Sequence, residues 1–178
     1  DLLLFKELSR LNPNLRIRCD ANQGWSAAQA SCFFKGIDKP ILDYIEEPTD
    51  CHQHNLQLAE KYKINLALDE TLQNINFNYQ HKSSIKALVL KPTLIGSLTR
   101  LQYFIDIAAQ RQLQVHISSS FESIIGLQQL AALAKRYQKQ CSLTLGIDTL
   151  KYFHSPLLTE RRRIQADLQK LECIWSSS

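Results

Sequence analysis

Methionine is absent from this 178-residue chain, which opens on Asp-Leu-Leu-Leu-Phe and has no initiator. It reads as a processed, truncated or partial chain. No apolar run approaches the ~18 residues that a membrane span needs, and no basic, apolar, small-residue leader is visible. No membrane partner is expected, and the expected location is the cytoplasm. A Gly-rich phosphate loop after an early strand is also missing, which counts against a doubly wound nucleotide-binding sheet. The five cysteines (Cys19, Cys32, Cys51, Cys141 and Cys173) are odd in number and contain no close pair. Reduced thiols account for them most simply. Cys51 has His52 and His54 beside it, but no second Cys-His cluster completes a tetrahedral metal set, so a surface loop is expected there. Cys19 is expected to be a small buried hydrophobe. A basic stripe is lacking as well. The net charge of +4 is spread over scattered lysines and arginines. The densest run, Glu160–Arg163, reads as an exposed helix face, and no nucleic-acid partner is expected.

What is present suits one globular domain: 44% hydrophobic and 21% charged residues. Residues 1–11 have helical apolar spacing, and Asn12-Pro13-Asn14 ends the helix. Leu15–Asp20 alternates as a strand. Ser26 is placed to cap a helix over Ala27–Lys35, with Phe33 and Phe34 on or near the packed face. Ile41–Glu47 is a strand, His54–Lys61 a helix, Ile64–Asp69 a strand. Residues 73–84 are polar turns or a short helix. Lys86–Lys91 is a strand, Ser97 caps a helix to Arg111, and Gln114–Ser119 is a strand. A helix over about Ile125–Gln138 and a strand over Ser142–Ile147 follow. Ser155-Pro156 starts a final helix to about Leu171. The domain is expected over 1–171, with 172–178 a tail.

Strand and helix alternate throughout, the pattern of a parallel β/α protein. The strands end on Asp20, Glu46/Glu47, Asp69/Glu70, Lys91, Ser118–Ser120 and Gly146–Asp148, at intervals of 26, 23, 22, 27 and 28 residues. A (β/α)₈ barrel averages about 31 residues per unit, and a TIM-like barrel is the preferred fold. In a barrel those ends meet at one face, bringing three acids and a lysine together. Three carboxylates from separate strands make a hard-oxygen cluster suited to Mg²⁺; without a cation their repulsion is costly. A lysine there either has its pKa lowered and acts on a carbon acid, or stays charged and stabilises an anion. Arg18 shares the side of its strand with Asp20, placed to support a ligand or meet a substrate carboxylate, or else to form a plain salt bridge. Asn22 reads as a loop contact or a turn former. His116 reads as an interior residue or a satisfied core histidine, and Glu122 as a supporting acid or a helix N-terminal charge.

Taken in order, Asp20-Ala-Asn22, Ile45-Glu-Glu-Pro48, Leu68-Asp-Glu70, Leu90-Lys-Pro-Thr93 and Ser118-Ser-Ser-Phe-Glu-Ser123 resemble the enolase superfamily in its muconate-lactonising subgroup. Within it, Lys91–Ser97, the triple serine and Gly146-Ile-Asp-Thr149 are most similar to the o-succinylbenzoate synthases of menaquinone biosynthesis. The resemblance covers essentially the whole chain. It implies Asp20, Glu46 and Asp69 as Mg²⁺ ligands, with Glu47 turned toward a neighbouring loop or lysine. It implies Lys91 as the catalytic lysine facing a metal-stabilised enediolate, and Ser118 and Gly146 against a small carboxylate substrate. The reaction implied is dehydration of 2-succinyl-6-hydroxy-2,4-cyclohexadiene-1-carboxylate to o-succinylbenzoate, a carbon–oxygen lyase activity. An N-acylamino acid racemase or dipeptide epimerase of the same superfamily is the alternative. A non-catalytic metal-binding remnant or subunit is a second alternative.

One expected motif is missing. The family's base lies in a Lys-x-Lys motif on the second barrel strand, and none precedes Asp20; Lys61-Tyr-Lys63 comes too late. The chain is therefore expected to supply about six strands of the barrel. The first two strands, the base and the N-terminal capping domain are expected on the missing N-terminal portion of the same enzyme, either a separate segment that pairs with this chain or part of a longer precursor from which it was cut.

Overall fold

The computed structural model describes residues 2–12 and 14–149. The helix expected after Ser155-Pro156 and the tail 172–178 lie outside the described residues. Six strands form one parallel sheet in the order of the chain: β1 (Ile17–Asp20), β2 (Leu42–Glu46), β3 (Leu66–Leu68), β4 (Ile85–Leu90), β5 (Gln114–Ser118) and β6 (Leu143–Gly146). Helices lie between them: α1 (Leu2–Leu11) before β1, α2 (Ala27–Gly36), α3 (His52–Tyr62), the short α4 (Glu70–Gln73) and α5 (Pro92–Ile95), then α6 (Leu98–Arg111) and α7 (Ile124–Tyr137). A doubly wound sheet reverses its strand order at a switch point. This one adds each new strand beside the last, as a barrel does.

Two contacts across the sheet show its curvature. On a flat sheet β1 and β5, four strands apart at ~4.8 Å per step, would stand roughly 19 Å apart. Yet the Arg18 guanidinium on β1 donates to Gln114 Oε1 on β5 at 3.1 Å, and the Tyr44 and His116 rings, from β2 and β5, are 5.7 Å apart. The sheet curls around these residues, forming six strands of a β/α barrel.

The two faces divide the side chains by period two. On the convex face Ile45, Leu66, Leu68, Leu88, Leu90, Val115 and Ile117 pack under the helices in two large apolar clusters. Inside the curl the buried apolar layer, among the described residues, is small: Tyr44, Ala67, Ala87 and Val89. The helices start where their caps dictate. Ser26 and Gln29 form a reciprocal capping box on α2, and Ser97 Oγ accepts from Arg100 N to begin α6. Leu101, Phe104, Ile105 and Ala108 then recur on its buried face. Gly96, at φ +74, makes the left-handed turn that separates α5 from α6 in two residues. The polar segment after α4 has turns and no regular element. It is held by Arg100, which donates to the carbonyls of Ile75 at 2.8 Å and Phe77 at 3.1 Å.

Two local expectations are corrected. Cys51, His52 and His54 are not a surface loop: Cys51 is the N-cap of α3 and both histidines lie in its first turn. The His52 ring packs edge-on against Phe77 at 5.2 Å. Cys19 is half-buried at the margin of the α2–α3 cluster, not fully enclosed, and burial pushes its thiol up to about 11.

Candidate active site

The inward positions of all six strands open, at their C-terminal ends, onto one cavity of about 370 Å³. Its lining includes Arg18, Asp20, Glu46, Asp69, Lys91, Ser118 and Gly146, and also His116; Asn22 and Glu122, the other candidates from sequence, are not in it. Register explains the convergence. Asp20 lies opposite Glu46, Val89 opposite His116, His116 opposite Thr144, and Ser118 opposite Gly146. Asp69 and Lys91 each continue the inward parity of their strand, two residues past Ala67 and Val89.

Asp20 is exposed on the first strand, and its Oδ1 accepts the Asn22 N–H at 2.9 Å. Asn22, at φ 45, is thus a turn former. Asp69 is buried, and its carboxylate accepts from Lys91 Nζ and, at 3.1 Å, from Gln73 Nε2. Glu46, between them, has a carboxyl pushed up to about 8. Burial is the main cause, followed by repulsion from Asp20 and Asp69, with Lys91 acting the other way. For Lys91 burial works against the charge, but the hydrogen bond and charge of Asp69, then Glu70 and Asp20, raise its pKa overall. Lys91 is therefore an ammonium here. Among the described residues no group of three acidic, imidazole or thiol ligands is drawn up around a metal position; Lys91 instead supplies the countercharge at Asp69.

Arg18 has more than one partner. The register between β1 and β2 steps past Asp43, a bulge that turns its carboxylate toward Arg18 Nε at 2.9 Å. The guanidinium also lies over the Tyr44 ring at 5.1 Å. His116 is interior: its Nδ1 bonds Thr144 Oγ1, while Nε2 is buried with no hydrogen-bond partner. Burial, and then the charge of Arg18, push it down to about 4. Glu122 is not only a helix-end charge. It accepts from Thr93 Oγ1, and at 2.7 and 2.8 Å from Ser120 N and Oγ, binding the loop after β5 to α5. Burial opposes its ionisation, but these hydrogen bonds hold its pKa below the usual carboxylate value.

Tyr44 and Thr144 also line the cavity and were not singled out from sequence. Each sits two residues before a chosen position, Glu46 or Gly146, so strand parity was the available signal. Gly146 leaves space: a Cβ built there meets Ser118 Oγ at 3.8 Å and nothing closer.

Comparison with known proteins agrees with this architecture. The o-succinylbenzoate synthase of Pectobacterium atrosepticum is 31% identical over 183 residues, covering 99% of this chain and 56% of that protein. The crystal structure of MenC from Desulfotalea psychrophila superposes with a TM-score of 0.66 at 29% identity, over 83% of this chain and 44% of that one. A dipeptide epimerase from Cytophaga hutchinsonii, complexed with Mg and the dipeptide D-Ala-L-Val, shares the fold with a TM-score of 0.67 at 20% identity, over 87% and 43%. The chain spans about half the length of the curated relatives it matches. Residues 7–168 match the enolase C-terminal domain-like family, and the chain belongs to that family.

Proposed function

We propose that this chain is the metal-binding portion of an o-succinylbenzoate synthase, dehydrating 2-succinyl-6-hydroxy-2,4-cyclohexadiene-1-carboxylate to o-succinylbenzoate. The observation that carries the reading is the single cavity in which six strand ends gather three acids, an ammonium and two small residues. The resemblance to named o-succinylbenzoate synthases supports it.

Asp20, Glu46 and Asp69 would hold Mg²⁺. The fit lies in the donor chemistry: all three are hard oxygen ligands, and Glu46 is held up to about 8 chiefly by burial and then by the negative charge of Asp20 and Asp69. When bound, the cation acts as a Lewis acid on a substrate carboxylate. The remaining work falls to side chains. Loss of a proton beside a carboxylate piles charge onto oxygens already negative, and the Lys91 ammonium, held at the cavity by Asp69, stabilises that charge where it develops. A substrate ring stacked against it would add a cation–π contact. Ser118 and Gly146 leave room for the substrate, and Arg18 offers donors to a substrate carboxylate in competition with Asp43 and Gln114.

The base belongs, in this reading, to the portion of the longer relatives that this chain does not span. A mostly apolar groove of about 310 Å³ beside α1 and β1, lined by Leu4, Phe5, Leu8, Ile17, Cys19, Trp25 and Phe33 and reaching Arg18 and Asp20, supports a further segment packing there. The test is a dehydration assay with Mg²⁺, run on the chain alone and after adding the N-terminal portion of the Pectobacterium relative. Turnover only in the mixture is expected. Turnover by the chain alone would refute the off-chain base. Dipeptide epimerisation in place of dehydration would move the assignment to the epimerases, and no turnover with either substrate would leave a binding remnant.

A further inference from the structure

Glu47 follows Glu46 in sequence, does not line the cavity, and is almost fully buried at 1% exposure. Its backbone, at φ 29, turns the side chain away from the cavity wall. There its Oε1 accepts two main-chain N–H groups of the next strand's end, those of Asp69 and Thr71, each at 3.1 Å. Its Oε2 accepts from Asn55 Nδ2 at 3.3 Å. Asn55 is itself fixed by Thr49, whose N–H and hydroxyl donate to Asn55 Oδ1 at 3.0 and 2.7 Å.

The position of Asp69 gives this network its meaning. Asp69 is the N-cap of α4 and makes no side-chain capping bond. Aspartate at an N-cap ordinarily turns its carboxylate back to accept the N–H of the second or third helical residue. Those residues are Thr71 and Leu72. The Thr71 N–H is taken by Glu47, and the Leu72 N–H by the main-chain carbonyl of Asp69 at 2.9 Å. Neither amide is left to draw the Asp69 carboxylate back, and that carboxylate faces Lys91 and the cavity.

We propose that Glu47 is a positioning residue: by capping α4 in place of Asp69, it keeps the Asp69 carboxylate turned into the cavity as a cation ligand. The role rests on the metal-binding reading above. Supporting groups that orient metal ligands typically change metal affinity 10- to 100-fold when removed.

The test measures Mn²⁺ binding to the full 178-residue chain by electron paramagnetic resonance, with far-UV circular dichroism and thermal melts in metal-free buffer. Wild type is expected to bind, and Asp69→Ala to lose most of its affinity. Glu47→Ala is expected to stay folded and bind about 10- to 100-fold more weakly, with an altered bound-Mn²⁺ spectrum. Should Glu47→Ala not fold, Glu47→Gln decides. Either orientation of its amide sets a donor against Asn55 Nδ2 or against the two backbone N–H groups, so weakened binding is still expected. A lowered melting temperature with wild-type affinity and spectrum, in whichever of these variants folds, would show a merely structural role and overturn the proposal. Wild type failing to bind would instead overturn the metal-binding reading itself.

Discussion

His116 ties the stability of the barrel interior to pH. The perturbation is acidification from pH 7 to about 4. In the unfolded chain the imidazole titrates near 6.5; folded, it is pushed down to about 4 by burial, and then by the Arg18 guanidinium, which Asp43 only partly offsets. A depressed folded pKa means the unfolded chain binds the extra proton first. The stability linked to neutral His116 is therefore complete above about 6.5 and is lost as pH falls through 4. A full shift of this size corresponds to about 3 kcal/mol, and the imidazole is only partly buried, so solvent screening reduces the expected effect to roughly 1–2 kcal/mol. Other acids titrate over the same range, so the assay is a difference. Urea unfolding is measured from pH 7.5 to 4 for wild type and for His116→Gln, which keeps a polar side chain at Thr144 without the titration. The wild type should lose about 1–2 kcal/mol more than the variant over that range. Parallel pH profiles would refute the reasoning.

The Lys91–Asp69 pair should show a lopsided response to mutation. Lys91→Met leaves a nearly fully buried carboxylate unpaired and is expected to cost about 3 kcal/mol in urea unfolding; Lys91→Met with Asp69→Asn should recover much of that, and equal losses in both would count against a coupled pair. Gly146→Ala should leave the melting temperature close to wild type, because a Cβ there meets nothing within 3.4 Å. It should nevertheless weaken substrate binding in the reconstituted dehydration assay, and unchanged KM would place the substrate elsewhere. Phe104, fully buried in the larger cluster, should cost about 3–5 kcal/mol when changed to Ala, read by the shift in urea midpoint.

Local sequence determined where elements begin and what they carry. Ser26 and Ser97 announce α2 and α6 because a hydroxyl can take an orphan amide at once, with no help from distant residues. The acids at 20, 46/47 and 69/70 and the lysine at 91 stood out because a polar residue ending an apolar strand is a local anomaly; the family resemblance picked Glu46 and Asp69 from their pairs. The regular spacing of those strand ends, 22 to 28 residues, was enough to prefer a barrel. Period two then indicates which residues share a face, as it did for Arg18 with Asp20.

Tertiary structure decided how those residues are used, because partners close in space are far apart along the chain. Arg18 could be read as a ligand contact or as a salt bridge until the bulge at Asp43 and the curl bringing Gln114 across the interior gave it protein partners. Glu46 and Glu47 are chemically identical neighbours; only the backbone turn at Glu47, and the amides of Asp69 and Thr71 waiting 22 and 24 residues on, separate a cavity acid from a buried clamp. The upward shift of the Lys91 pKa against burial comes likewise first from Asp69, which meets it only once β3 and β4 pair side by side. Hydrogen bonds and charges act over a few ångströms, so a pattern along the chain can mark these residues, and only the fold can assign them to one another.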